Sequence, residues 1–140
     1  MTTEFVKAKG KTANEDIEQE TLMQWTVYAM GTYHELKLLY HVPNGGKRNA
    51  AEAAHLKRQG VKAGVPDLCL PVPRGNYHGL YVEMKAKSNQ PTEAQIRWLE
   101  SLATQGYKTA VCWGFEAARH VIESYLQLPP FAKSEAEKSE

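Results

Sequence analysis

Asp67, Glu83 and Lys85 are the side chains whose types and spacing point to chemistry. Asp67 stands in the run Gly-Val-Pro-Asp-Leu-Cys-Leu-Pro-Val that begins at Gly64, and Glu83 and Lys85 stand in the run Gly-Leu-Tyr-Val-Glu-Met-Lys-Ala-Lys that begins at Gly79. Both runs are short, apolar and bounded by Gly and Pro, and Pro73, Arg74, Gly75 and Asn76 lie between them. That punctuation predicts two strands of a hairpin. Strand side chains alternate with a period of two. Leu80, Val82 and Met84 therefore share one face, and Glu83 and Lys85 share the other. Leu68, Leu70 and Val72 form the apolar face of the first limb, with Asp67 pointing away from it. The hairpin so brings an Asp, a Glu and a Lys to one side of a sheet. Two adjacent carboxylates repel and lose hydration unless a positive charge stands between them. Hard oxygen donors suit Mg²⁺ or Mn²⁺. A lysine two residues beyond the Glu lies beside such an ion, where it can orient a water or stabilise charge on a phosphate. The set is the minimum for metal-assisted phosphodiester hydrolysis.

The elements around the hairpin must position these groups. Asn14 can cap a helix running to about Met30, with acids in its first turn and Leu22, Trp25 and Ala29 on its apolar stripe. Glu15 and Glu18 extend that stripe backwards, so either could reach the hairpin, or each could simply favour the helix dipole. Leu36 to Val42 reads as a strand, closed by the turn Pro43-Asn-Gly-Gly46. Lys47 to Gln59 is alanine-rich and predicts a short helix ending at Gly60. Thr92-x-x-Gln95 has the form of a capping box and opens a helix to about Gln105. Tyr107 to Trp113 predicts a strand, and Phe115 to Leu126 a helix that Pro129 and Pro130 end. A central mixed sheet with helices on both sides would bury every apolar stripe. One domain over residues 13–128 is expected, with a flexible N-terminus at 1–12 and a flexible charged tail at 129–140.

Composition narrows the classes. A chain of 140 residues with 42% apolar content can bury one core. No apolar run approaches the roughly 18 residues that span a membrane, and residues 1–11 lack the apolar centre of a signal peptide. Cys69 and Cys112 fall in expected strands, without ligand-spaced neighbours, and read as buried free thiols of a reducing compartment. The histidines show no paired ligand spacing; His41, at the end of a strand, is the one expected near the site. No Gly-rich loop ending in Lys-Ser/Thr indicates ATP-driven work. The net charge is only +1, yet residues 47–62 carry Lys47, Arg48, Lys57, Arg58 and Lys62 against the single acid Glu52. Such a segment fits a polyanion, whose phosphates set most of the affinity; a solvated helix face is the plain alternative.

Pro66-Asp67 followed by Glu83-Met84-Lys85 resembles the PD-(D/E)XK nuclease signature. His41-Val-Pro-Asn-Gly-Gly-Lys47, Gly60, Gly64-Val-Pro-Asp67 and Gly79 around it resemble the VRR-NUC branch of that superfamily, from about Glu15 to Leu126. The resemblance implies an α/β fold with a restriction-endonuclease-like αβββαβ core. It implies a nuclease that binds Mg²⁺ (or Mn²⁺) through Asp67, Glu83 and the Met84 carbonyl, with Lys85 catalytic. A first-helix Glu is implied too: Glu15, by its spacing to Gln19, with Glu18 as second choice. Gln95 has two readings, as a return bond to its helix cap or as a residue of the active site, and the resemblance favours the second. Asn44, Gly45, Gly46, Lys47, Arg48, Lys57, Arg58, Lys62 and Lys87 are the expected nucleic-acid contacts.

Nothing in the sequence reads bases directly. Structure-selective cutting is therefore expected rather than site-specific cutting. The resemblance is closest to small stand-alone phage and bacterial VRR-NUC proteins. It implies a homodimer acting on branched DNA such as four-way (Holliday) junctions, in the cytoplasm of a bacterial or phage-infected cell. The rival classes are a restriction-like enzyme, a DNA-holding module with a nuclease fold, and an RNA-directed nuclease.

Overall fold

Alternation along two neighbouring strands builds the sheet. Strand β4 (Leu80–Lys85) and strand β5 (Lys108–Trp113) run parallel, with Leu80 opposite Lys108, Glu83 opposite Val111 and Lys85 opposite Trp113. Leu80, Val82 and Met84 of β4 join Ala110 and Cys112 of β5 in one core cluster, whereas Tyr81 meets Val111 and Trp113 in a second. The two clusters lie on opposite faces, as a period of two requires.

The computed structural model describes residues 2–43 and 49–131. The larger core is closed by helix α1 (Glu15–Ala29), through Leu22 and Ala29, and by helix α4 (Phe115–Leu126), through Ala118, Val121, Ile122 and Tyr125. Helix α3 (Glu93–Thr104) covers the other face through Leu99. Strand β3 (Leu68–Leu70) pairs antiparallel with β4, and a short strand β2 (Tyr40–His41) pairs antiparallel with β3. Helix α2 (Ala50–Arg58) buries no residue. The result is a mixed sheet with helices on both faces, as expected.

Three boundaries differ from the sequence reading. Residues 1–12 were expected to be flexible, but Glu4–Lys7 form strand β1, which pairs in parallel with β5 and completes the order β1-β5-β4-β3-β2. The expected strand over Leu36–Val42 is mostly a 3-10 turn at His34–Leu38, and only Tyr40 and His41 pair. Leu36 and Leu39 are three apart, and one tight turn buries both, at 1% and 7% exposure. The tail was expected to start at residue 129, yet the Pro129 carbonyl accepts a bond from Gly75 N–H at 2.7 Å and Pro130 bridges to Arg74. Cys69 and Cys112 are buried free thiols. No helix among the described residues is long and apolar enough to cross a membrane.

Candidate active site

The β3–β4 register sets the acidic pair. Leu68 lies opposite Val82, so the next step along the ladder sets Asp67 beside Glu83. Asp67 is held by three hydrogen bonds. Its Oδ2 accepts from Met84 N–H at 2.8 Å, and its carbonyl accepts from Val42 N–H at 2.8 Å and from His41 Nδ1 at 2.9 Å. The approach to Asp67 depends on Gly64. This glycine has φ +88°, and a Cβ there would stand 2.8 Å from the Ala94 carbonyl at the start of α3. Any other residue would drive the Pro66-Asp67 loop off that helix.

Glu83 is 1% exposed, and its Oε1 is buried with no hydrogen-bond partner among the described residues. Burial and the neighbouring Asp67 push its carboxyl up to about 9, opposed by Lys85, with Glu15 adding a smaller rise. Ionising that carboxyl in its buried site costs several kcal/mol, more than the roughly 2 kcal/mol that one buried leucine returns. A fold does not keep such a group for packing. Lys85 is itself buried at 9% exposure, with Nζ 4.0 Å from Glu15 Oε1. Glu15 also lies 3.4 Å from Asn89 Nδ2 in the β4–α3 loop.

These donors fit a hard divalent cation. No group of three or more acidic, His or Cys side chains converges among the described residues. The two carboxylates Asp67 and Glu83 match Mg²⁺, which keeps several waters and takes one or two protein carboxylates. Glu83 Oε1, with no hydrogen-bond partner among the described residues, is the buried oxygen such an ion would take.

The other expected site residues separate. Glu18 does not join the cluster: its Oε1 accepts from Phe115 N–H at 3.0 Å and caps α4, whose preceding residue Gly114 leaves only 2.8 Å for a Cβ against that oxygen. Gln95 closes a capping box, its Oε1 accepting from Thr92 N–H at 2.8 Å while Thr92 Oγ1 accepts from Gln95 N–H at 3.2 Å. Lys57 and Arg58 lie exposed at the end of α2, which buries no residue, and Lys62 and Lys87 are also exposed. Asn44, Gly45, Gly46, Lys47 and Arg48 lie outside the described residues. Sequence reasoning passed over Asn89, which meets Glu15 and whose carbonyl accepts from Trp113 Nε1 at 2.8 Å. No spacing rule singles out one polar residue in a loop.

A mixed sheet that gathers two acids and a lysine at the ends of adjacent strands is a nuclease-type arrangement. The VRR-NUC domain model matches residues 13–116. A solved structure described as a VRR_NUC domain protein is 35% identical, with a TM-score of 0.74, covering 88% of this chain and 96% of that one. The chain belongs to the VRR-NUC family. No curated protein is significantly similar to it.

Proposed function

We propose that this protein is a metal-dependent DNA endonuclease that cuts branched substrates such as four-way (Holliday) junctions. The observation that carries the proposal is the buried Glu83 carboxyl beside Asp67, whose Oε1 has no hydrogen-bond partner among the described residues, with Lys85 on the same strand face. Asp67 and Glu83, with the Met84 carbonyl, would hold Mg²⁺ or Mn²⁺. A bound ion supplies Lewis acidity and neutralises charge at the phosphate.

The chain's own groups do the rest. Asp67 keeps its rotamer because Met84 N–H holds Oδ2, and the bonds to its carbonyl keep the backbone beneath it in place. Lys85 donates to the attacking water or to a non-bridging phosphate oxygen, where negative charge grows during in-line attack. Glu15, 4.0 Å from Lys85 Nζ, orients that ammonium. To hold the ion Glu83 would have to be ionised, its proton passing to solvent.

Branched DNA is favoured because the described elements offer backbone contacts rather than base readers. Helix α2 buries nothing and presents Lys57 and Arg58 at its end, which suits contact with phosphates. A homodimer would present two active sites to a two-fold substrate. The test is cleavage of a labelled panel of duplex, single strand, flap, nicked duplex and four-way junction, with Mg²⁺, Mn²⁺ or EDTA, beside Glu83→Ala. Metal-dependent cutting confined to branched DNA and lost in the variant is the expected result. Equal cutting of all duplexes would mean a general or restriction-like enzyme. Binding without cutting would mean a DNA-holding module.

A further inference from the structure

The segment preceding the family-matched region carries Lys7, Lys9 and Lys11, and the sheet brings part of it to the active site. Register aligns three residues across three parallel strands: Lys85 of β4 faces Trp113 of β5, and Trp113 faces Lys7 of β1. Residues aligned in this way point to one face, and two strand steps span roughly 10 Å. Lys7 Nζ stands 5.4 Å from the Trp113 ring centroid, a cation–π contact that holds its ammonium over the ring. Trp113 is 5% exposed and donates from Nε1 to the Asn89 carbonyl. It is a floor under the lysine rather than a platform for a base.

Beside this row lies a concavity of about 440 Å³, lined by Lys7, Lys11, Lys87, Thr12 and Trp113 among others, and no acid lines it. Lys87 adopts φ +55°, a backbone conformation costly for a side chain with a Cβ, and its N–H donates to Thr12 Oγ1 at 2.7 Å. The turn is thus tied to the N-terminal segment. None of Lys7, Lys11 and Lys87 is ion-paired among the described residues. Three uncompensated ammonium groups around one hollow concentrate positive potential there.

We propose that this cleft binds the nucleic-acid backbone, taking a phosphate beyond the one presented to Lys85. Strand β1 and the turn after it thereby extend the substrate path across the sheet. The proposal rests on the nuclease reading above, because its ligand is that enzyme's substrate. It gives a role to a segment outside residues 13–116, where the family model ends.

The test is fluorescence anisotropy of a labelled four-way junction in EDTA, over a range of salt concentrations. Lys7→Gln/Lys11→Gln is compared with wild type and with Lys37→Gln/Lys108→Gln, which removes the same charge elsewhere. Each lost phosphate contact lowers the slope of log K against log salt by about 0.9. The Lys7/Lys11 variant should bind more weakly, with a slope smaller by roughly 1 for the one phosphate lost, and the control should keep the wild-type slope. Lys7, Lys11 and Lys37 are exposed, Lys108 is half-buried and ion-paired with Glu4, and circular dichroism melts verify folding. A Lys7/Lys11 slope equal to wild type, in a protein that binds and cuts DNA, would overturn this inference alone. An equal loss in the control would also overturn it, by showing a net-charge effect. A wild-type protein that binds no DNA would overturn both this inference and the nuclease reading.

Discussion

Glu83 shows how one side chain stores free energy for function. Its carboxyl titrates near 9 in the folded chain, against about 4.5 when unfolded. Between those values the folded state holds a proton that the unfolded state has lost. Stability without metal must therefore fall as pH rises from about 5 to 9, by on the order of a few kcal/mol. Glu83→Gln removes the titration, so its melting temperature should be flat over that window and roughly 5 °C or more above wild type at pH 8. Mg²⁺ should raise the wild-type melting temperature and leave Glu83→Gln nearly unmoved. Melts at pH 5, 7 and 9 with and without Mg²⁺ check both statements; a wild type more stable at pH 9 than at pH 5 would contradict the sign. Asp67, Glu83 and Lys85 were legible in the sequence because strand alternation fixes faces and Gly and Pro mark strand ends. The choice between Glu15 and Glu18 was not, because residues three apart share a helix face. Only the packing of α1 against α4 gives Glu18 to Phe115 N–H and leaves Glu15 beside Lys85.

Helix and strand ends carry the next predictions. Glu18→Ala removes the carboxylate that caps α4 and should cost about 1 kcal/mol of stability, with cleavage by the folded protein near wild type. Glu15→Ala should do the reverse, leaving the melting temperature within a few degrees and slowing cleavage. Thermal melts and single-turnover rates on the pair separate the roles, and a swap of the two outcomes would refute the assignment. Gln95→Glu retains an acceptor for Thr92 N–H, since Glu closes a capping box as well as Gln. Gln95→Ala should therefore lose roughly 0.5–1 kcal/mol that Gln95→Glu keeps, as urea titrations would show. The helices were readable from caps and periodicity, and α4 has the expected ends. Strand β1 was not readable. Glu-Phe-Val-Lys is short, Phe5 remains 55% exposed, and its order comes from pairing with β5, more than a hundred residues away in sequence.

At the scale of the whole molecule, the sheet lines up its chemistry along one edge of the strand ends. Asp67 comes from the antiparallel half, Glu83 and Lys85 from β4, which both halves share, and Trp113 and Lys7 continue across the parallel half. Light scattering should give a dimer at micromolar concentration if two sites are to meet a two-fold junction; a monomer that binds the junction as one copy would count against that geometry. The class of protein was legible before the fold was known because its residue spacing depends on one hairpin. The N-terminal lysines were not connected to the site, because their register with Lys85 runs through a third strand. The central claim is that Asp67, Glu83 and Lys85 hydrolyse a phosphodiester bond with a divalent cation. It is tested most directly by the single-turnover cleavage rate of a four-way junction at saturating protein, in Mg²⁺ and in EDTA, for wild type and Lys85→Ala. Wild type should cut in Mg²⁺ alone, Lys85→Ala should lose roughly 10²-fold or more in rate, and the two proteins should bind the junction with similar affinity. A Lys85→Ala protein that cuts at the wild-type rate, or a wild type that cuts equally in EDTA, would contradict it.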